Sequence, residues 1–151
     1  LRRQRQMCIR DSFCDISIVR FQHKSLKGSY AGGVPMKSIL LVDDDGLFRE
    51  LVADLIKKQS ISVLEADGVI SAKQFLETQN VDVICSDMNM GDGTGLELYK
   101  QVHLKYPQIG FILLTHDVKF SVQKQADLYN IPLISKSTSD LIAKIIEMIN
   151  A

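Results

Sequence analysis

The chain has 151 residues, 46% of them hydrophobic, and 18 basic against 18 acidic side chains, which fits one ordinary globular domain rather than two. No run approaches the roughly 18 apolar residues of a membrane helix and no signal-peptide segment opens the chain, so no membrane partner is expected and the cytoplasm is the expected compartment. Three cysteines, Cys8, Cys14 and Cys85, are too sparse for a disulfide framework and lack metal-ligand spacing.

The neutral total hides an asymmetry. Residues 1–35 carry seven Lys/Arg against two Asp, while the remainder carries 11 basic against 16 acidic residues. The acidic part gives no reason to expect nucleic-acid binding by the domain. Residues 1–35 show no sustained period, apart from a possible short strand at Ile16, Ile18, Val19 and Phe21. Gly28-Ser29 and Gly32-Gly33-Val34-Pro35 read as linker breakers, and Met36 as a natural start. Residues 5–12 resemble the conceptual translation of sequencing-adapter DNA. The expectation for 1–35 is a disordered or artefactual N-terminal extension before a domain at 36–151.

From Lys37 the pattern becomes regular. Ser38–Val42 reads as a short strand, and Leu47, Leu51 and Leu55 with Phe48, Val52 and Ile56 mark one helical face. Asp45 reads as a helix-start residue. Residues 61–66 form a second strand, Val69–Thr78 a helix with Ala72, Phe75 and Leu76 inward, and residues 81–86 a third strand. A helix over 95–106 is closed by Pro107, Gly110–Thr115 is the fourth strand, and a weaker helix over 118–129 stops at Asn130 and Pro132. Leu133–Ser135 is the fifth strand, and Ser139 is the expected cap of a last helix whose Leu141, Ile142, Ile145, Ile146 and Ile149 fall at helical spacing. Short apolar strands alternating with amphipathic helices predict an α/β fold, a parallel sheet covered by helices on both sides.

In such sheets ligands sit outside the carboxyl ends of the strands, where Asp43, Asp44, Asp87, Thr115 and Lys136 fall. Clustered carboxylates repel unless a cation holds them, and Mg2+ is the fitting one, with oxygen ligands and retained waters. Asp44 and Asp87 are the expected direct ligands, Asp43 the holder of a metal-bound water, and the main-chain carbonyl of Asn89 a further ligand. A carboxylate can attack phosphorus to form an aspartyl phosphate, and Asp87 is the expected acceptor. The cation, Lys136 and the Thr115 hydroxyl would then each meet a phosphoryl oxygen.

These residues carry a resemblance. Asp43-Asp44 after the first strand, Asp87 within Ser-Asp-Met-Asn-Met, Gly95, Thr115 and Lys136, in this order and spacing, resemble the receiver domain of bacterial two-component response regulators, including the single-domain chemotaxis-like type. The resemblance spans nearly all of 36–151. It implies a doubly wound, flavodoxin-like (βα)5 sheet of five strands in the order 2-1-3-4-5. It also implies a signalling protein rather than an enzyme, in which Asp87 takes a phosphoryl group from a histidine kinase or histidine phosphotransfer protein, Thr115 reports it and Lys136 binds its oxygens. An unidentified output protein would meet the fourth helix, the fifth strand and the last helix. Three positions depart from the family pattern: Gly91 and Ser137 stand where proline is usual, and Leu133 stands at the aromatic switch position. His116 is bulkier than the usual small residue and is expected to narrow access to Asp87.

Blander readings and rival functions compete with this one. Taken alone, Asp43-Asp44-Asp45 would be a helix-start cluster, Lys136 a surface lysine and Thr115 a strand-end cap. Cys85 is read as a core residue on the face opposite Asp87, and His103 as a helix-surface residue. A pseudo-receiver that signals without phosphorylation is the alternative function, and the intact acids and lysine count against it. Asp92-Gly93-Thr94 is similar to a motif of haloacid-dehalogenase phosphatases, but that motif needs an Asp where Met90 stands. No Gly-x-Gly-x-x-Gly follows the first strand, which excludes a dinucleotide fingerprint. The chain is read either as a stand-alone receiver or as the front piece of a longer regulator.

Overall fold

A computed structural model describes residues 36–151, together with the backbone of Tyr30–Ala31 and Val34–Pro35. Those two dipeptides pair antiparallel, Tyr30 with Pro35 and Ala31 with Val34, inside the stretch read as a linker. The short strand expected near Ile16 and the reading of 1–35 as a disordered or artefactual extension lie outside the described residues. The chain divides into units at 1–35 and 36–151, and the second carries everything described below.

Five strands and five helices alternate along that unit: β1 (Ser38–Val42), α1 (Gly46–Lys57), β2 (Ser62–Ala66), α2 (Val69–Thr78), β3 (Val83–Asp87), α3 (Gly95–Lys105), β4 (Gly110–Thr115), α4 (Phe120–Leu128), β5 (Leu133–Ser135) and α5 (Leu141–Asn150). The strands form one parallel sheet in the order β2-β1-β3-β4-β5. This is the doubly wound five-stranded order that the resemblance implies. Strand side chains alternate between two faces, and the core divides accordingly. Ile39, Leu41, Cys85, Ile112 and Leu114 pack with Val52 and Ile56 of α1 and Ile145 and Ile149 of α5. Leu40, Val42, Ile84 and Leu113 pack with Ala72 and Leu76 of α2, Leu98 and Val102 of α3 and Ala126 of α4. Each fully buried Leu or Ile contributes about 1.5–3 kcal/mol to holding its layer.

The α1 stripe lies one step round from the predicted face. Val52, Ala53 and Ile56 are buried, whereas Leu47 and Leu51 are exposed. A 100° step per residue brings small Ala53 to the sheet and carries Leu47 and Leu51 outward. Asp45 does start the helix, its carboxylate accepting from Leu47 N–H at 3.1 Å and Phe48 N–H at 3.2 Å. Ser139 does not cap the last helix: Asp140 holds that position, and the Thr138 hydroxyl donates to its carboxylate instead. β3 starts two residues later than predicted and ends one residue later, so that Asp87 is a ladder residue opposite Leu114. Asn130, in the left-handed region at φ 53°, ends α4 as expected.

The glycine-rich stretch after β3 folds into a tight hairpin, Asn89 pairing with Thr94 and Met90 with Gly93. Its tip residue Asp92 reaches the amino terminus of α2, accepting from Val69 N–H and Ile70 N–H at 2.9 Å each. These are two of the donors that a helix start leaves without intrahelical partners, and with them Asp92 holds its carboxyl below the usual carboxylate range. Gly68 fits because a Cβ there would lie 2.5 Å from the Asp92 carboxylate. Asp92→Ala is expected to cost about 1 kcal/mol in urea unfolding, the usual loss of a helix cap. Gly68→Ala is expected to cost a similar amount by displacing Asp92, and the double variant little more than either alone. Additive losses would show that Gly68 serves another purpose.

Candidate functional site

Four of the five strands bring a polar side chain to one cleft at the carboxyl end of the sheet: Asp43 after β1, Asp87 on β3, Thr115 on β4 and Lys136 after β5. They line a cleft of about 260 Å3 that also takes in Asp44 and Asn89. Asp43 is fully buried. One of its oxygens accepts from Asp45 N–H at 2.9 Å, the other faces the Lys136 ammonium at 2.7 Å, and its carbonyl accepts from the Arg49 guanidinium. The same ammonium lies 3.1 Å from Asp87 Oδ1. Asp44 is exposed, and its Oδ2 accepts from Gly91 N–H at 3.1 Å. Carboxylate oxygens of Asp43, Asp44 and Asp87 all lie within 4.8 Å of one another.

Close backbone packing holds these ends together. Met88 N–H donates to Leu114 O at 2.8 Å, Lys136 N–H to Thr115 O at 2.8 Å, and Gly95 N–H to Met88 O at 2.9 Å. Gly95 opens α3 directly against β3, where a Cβ would sit 2.4 Å from the Asp87 carbonyl and 2.6 Å from Leu113. Only glycine permits that approach.

Burial raises the Asp87 pKa, and Asp43 adds to the rise, against the hydrogen bond and charge of Lys136 and the backbone N–H of Met88. For Lys136, burial works to lower the pKa, but the hydrogen bonds and charges of Asp43 and Asp87 outweigh it and the ammonium titrates above its usual range. Three carboxylates face one ammonium among these four groups, an excess of negative charge that suits a hard cation with oxygen ligands.

The remaining predicted residues sit in or around the cleft in different ways. The Thr115 hydroxyl lines it, yet donates to Asp117 O at 3.1 Å and accepts from Asp117 N–H at 3.3 Å. Leu133 lies outside it, partly buried in the α2–α4 core beside Leu113. His116 stands exposed in its wall, and His103 is a helix-surface residue whose ring stacks on Tyr99 at 5.1 Å. Cys85 is core, but not on the face opposite Asp87, because residues two apart on a strand share a face. Burial pushes its thiol up, Asp43 adds to the rise and Lys136 opposes it, so the thiol lies within electrostatic reach of the site. The sequence reading missed Arg49, whose guanidinium holds the Asp43 carbonyl, and gave Phe48 only a core role.

Residues 39–148 match the family model described as the response regulator receiver domain. The chain belongs to this family. Regulatory protein VirG of Agrobacterium tumefaciens is 30% identical over 115 residues, 74% of this chain and 39% of that protein. Heme response regulator HssR of Staphylococcus saprophyticus is 32% identical over 93 residues, 62% of this chain and 41% of that protein. The chain thus spans less than half the length of these curated relatives. Among solved structures, the Vibrio cholerae chemotaxis protein CheY4 superposes with a TM-score of 0.69 at 23% identity, covering 76% of this chain and 98% of that one. A Pseudomonas putida response regulator receiver protein gives 0.71 at 21%, covering 78% and 98%. These likenesses show the fold.

In this receiver domain, Gly91 does something that proline cannot. Its N–H holds Asp44, and proline has no N–H. Among the described residues every peptide bond is trans, Lys136–Ser137 included.

The raised Asp87 pKa has a consequence for stability. An acid whose folded pKa lies above its unfolded value stabilises below the unfolded value, and that contribution is lost as pH rises through the folded one. Ionised Asp87 therefore destabilises the metal-free fold at neutral pH. Asp87→Asn is expected to melt higher than the wild type at pH 7 in chelator, with the gap closing as pH falls through the Asp87 pKa. A gap that widens in acid would show that the Lys136 contact outweighs burial.

Proposed function

We propose that residues 36–151 act as the phospho-acceptor of a two-component phosphorelay, with Asp87 taking the phosphoryl group. The observation that carries this reading is the buried ammonium of Lys136 shared by Asp43 and Asp87, beside an open third carboxylate, Asp44. The phosphorus–nitrogen bond of a histidine kinase or phosphotransfer protein's phosphohistidine breaks, and a phosphorus–oxygen bond to the Asp87 carboxylate forms. The departing imidazole nitrogen keeps the electron pair and takes up a proton.

Asp44 and Asp87, with the Asn89 carbonyl, would hold Mg2+, and Asp43 would hold one of its waters; the all-oxygen donor set fits that ion. When bound, Mg2+ offsets negative charge on the phosphoryl oxygens. Lys136, already between Asp43 and Asp87, is placed to pair with a phosphoryl oxygen on Asp87. Arg49 and the Asp45 N–H keep Asp43 in place.

Intact-mass spectrometry after treatment with a small acyl phosphate and Mg2+ is the test. A single phosphoryl mass increment is expected, absent in Asp87→Ala and in excess chelator. An increment that survives in Asp87→Ala places the chemistry elsewhere, and a wild type without one points to an interaction module that signals without phosphorylation.

Output is proposed to pass to a partner through α4, β5 and α5. To meet a phosphoryl oxygen, the Thr115 hydroxyl has to leave the backbone of Asp117, which moves the loop from Thr115 to Lys119. Leu133 has no aromatic ring to swing. Amide chemical shifts with a stable phosphoryl mimic are expected to change most from Thr115 to Lys119 and along α4. Changes centred on Leu133 and α5 instead would show that the altered switch position still carries the signal.

A further inference from the structure

The Lys136 ammonium has a third neighbour besides its two carboxylates. It lies over the face of the Phe48 ring, 4.6 Å from the centroid. Phe48 is partly buried on the first turn of α1, four residues before Val52 and eight before Ile56, so its backbone is fixed by the same stripe that packs α1 on the sheet. Its ring centroid is also 6.4 Å from that of His116 in the cleft wall, at an interplanar angle of 56°. Lys136 is thus enclosed by two carboxylates and an aromatic face, and its side chain is only 2% exposed.

A lysine carries a flexible four-carbon stem and about 2 kcal/mol of rotamer entropy. Two carboxylates alone do not fix where its ammonium sits once one of them bears a phosphoryl group. A ring face attracts a cation through its quadrupole and keeps water from that side, and the attraction grows where water is excluded.

We infer that Phe48 is a positioning residue of the phospho-acceptor site: its ring face seats the Lys136 ammonium against Asp87 and keeps it there for the incoming phosphoryl oxygens. This rests on the phospho-acceptor reading above. An aliphatic side chain at 48 preserves the packing of α1 but loses the quadrupole. A tyrosine retains it.

The test compares wild type, Phe48→Leu, Phe48→Met and Phe48→Tyr below their melting temperatures at saturating Mg2+, with a small acyl phosphate as donor. Phe48→Leu and Phe48→Met are expected to lower the phosphorylation rate about two- to fivefold, in line with a partly shielded cation–π contact. Mg2+ affinity, read by titration calorimetry, is expected to stay unchanged, and Phe48→Tyr to restore the rate. The Lys136 side-chain resonances are expected to show an upfield ring-current shift in wild type and Phe48→Tyr only. A purely structural role would lower stability in the aliphatic variants without this rate pattern. Aliphatic variants that match the wild-type rate overturn the role of Phe48 while leaving the acceptor site standing. A wild type that takes no phosphoryl group removes both.

Discussion

One ammonium shared by two buried carboxylates is the constraint on which the site depends. Asp43 is fully buried and Asp87 nearly so, and removing the shared Lys136 would leave buried carboxylate charge uncompensated at a cost of about 3–5 kcal/mol. Lys136 is supplied by the strand farthest from Asp43 on that side of the sheet, so its 2.7 Å contact requires β1, β3, β4 and β5 all to be in register. Fold and site are therefore one problem.

The sheet meets that requirement by dividing its side chains between two separate cores. Leu40 and Val42 face one way and Ile39 and Leu41 the other, so neither face of β1 is free to slip. A register shift of one residue would send every buried side chain to the wrong core. Asp43 follows directly on this doubly anchored strand, and the Arg49 guanidinium and the Asp45 N–H then fix its carbonyl and carboxylate. The rigid part of the site is thus the part nearest the core. Asp44, one residue further, is exposed and held through a loop amide.

The sequence made the architecture legible because the strands are short and apolar on both faces and the helices are periodic. Asp43, Asp87 and Lys136 were legible from strand ends alone, since topology brings such ends together. Less visible was anything set by side-chain direction. Leu47 and Leu51 fit a helical stripe on paper, but the sheet selects the stripe through Ala53, whose small size lets α1 approach. Cys85 shares a face with Asp87 rather than opposing it, because both are ladder residues two apart on β3. The Thr115 hydroxyl has two possible partners, and spacing does not choose between its own loop and the cleft. Phe48 carries no local signal of its second contact, because Lys136 lies 88 positions away and only the closed sheet places it over the ring.

The cap that Asp92 places on α2 ties the solvent exchange of two distant amides to the hairpin that follows β3. Val69 and Ile70 lie 23 and 22 positions from Asp92, on a helix that supplies none of the acid or lysine side chains of the cleft. Their N–H groups hold the Asp92 carboxylate at the helix start only while the hairpin tip stays seated. The opposite side of the same tip, through Gly91, grips Asp44. Any event that draws Asp44 away from that amide works the hairpin as a lever, and hydrogen exchange at the start of α2 becomes a gauge of it, readable without a probe in the cleft.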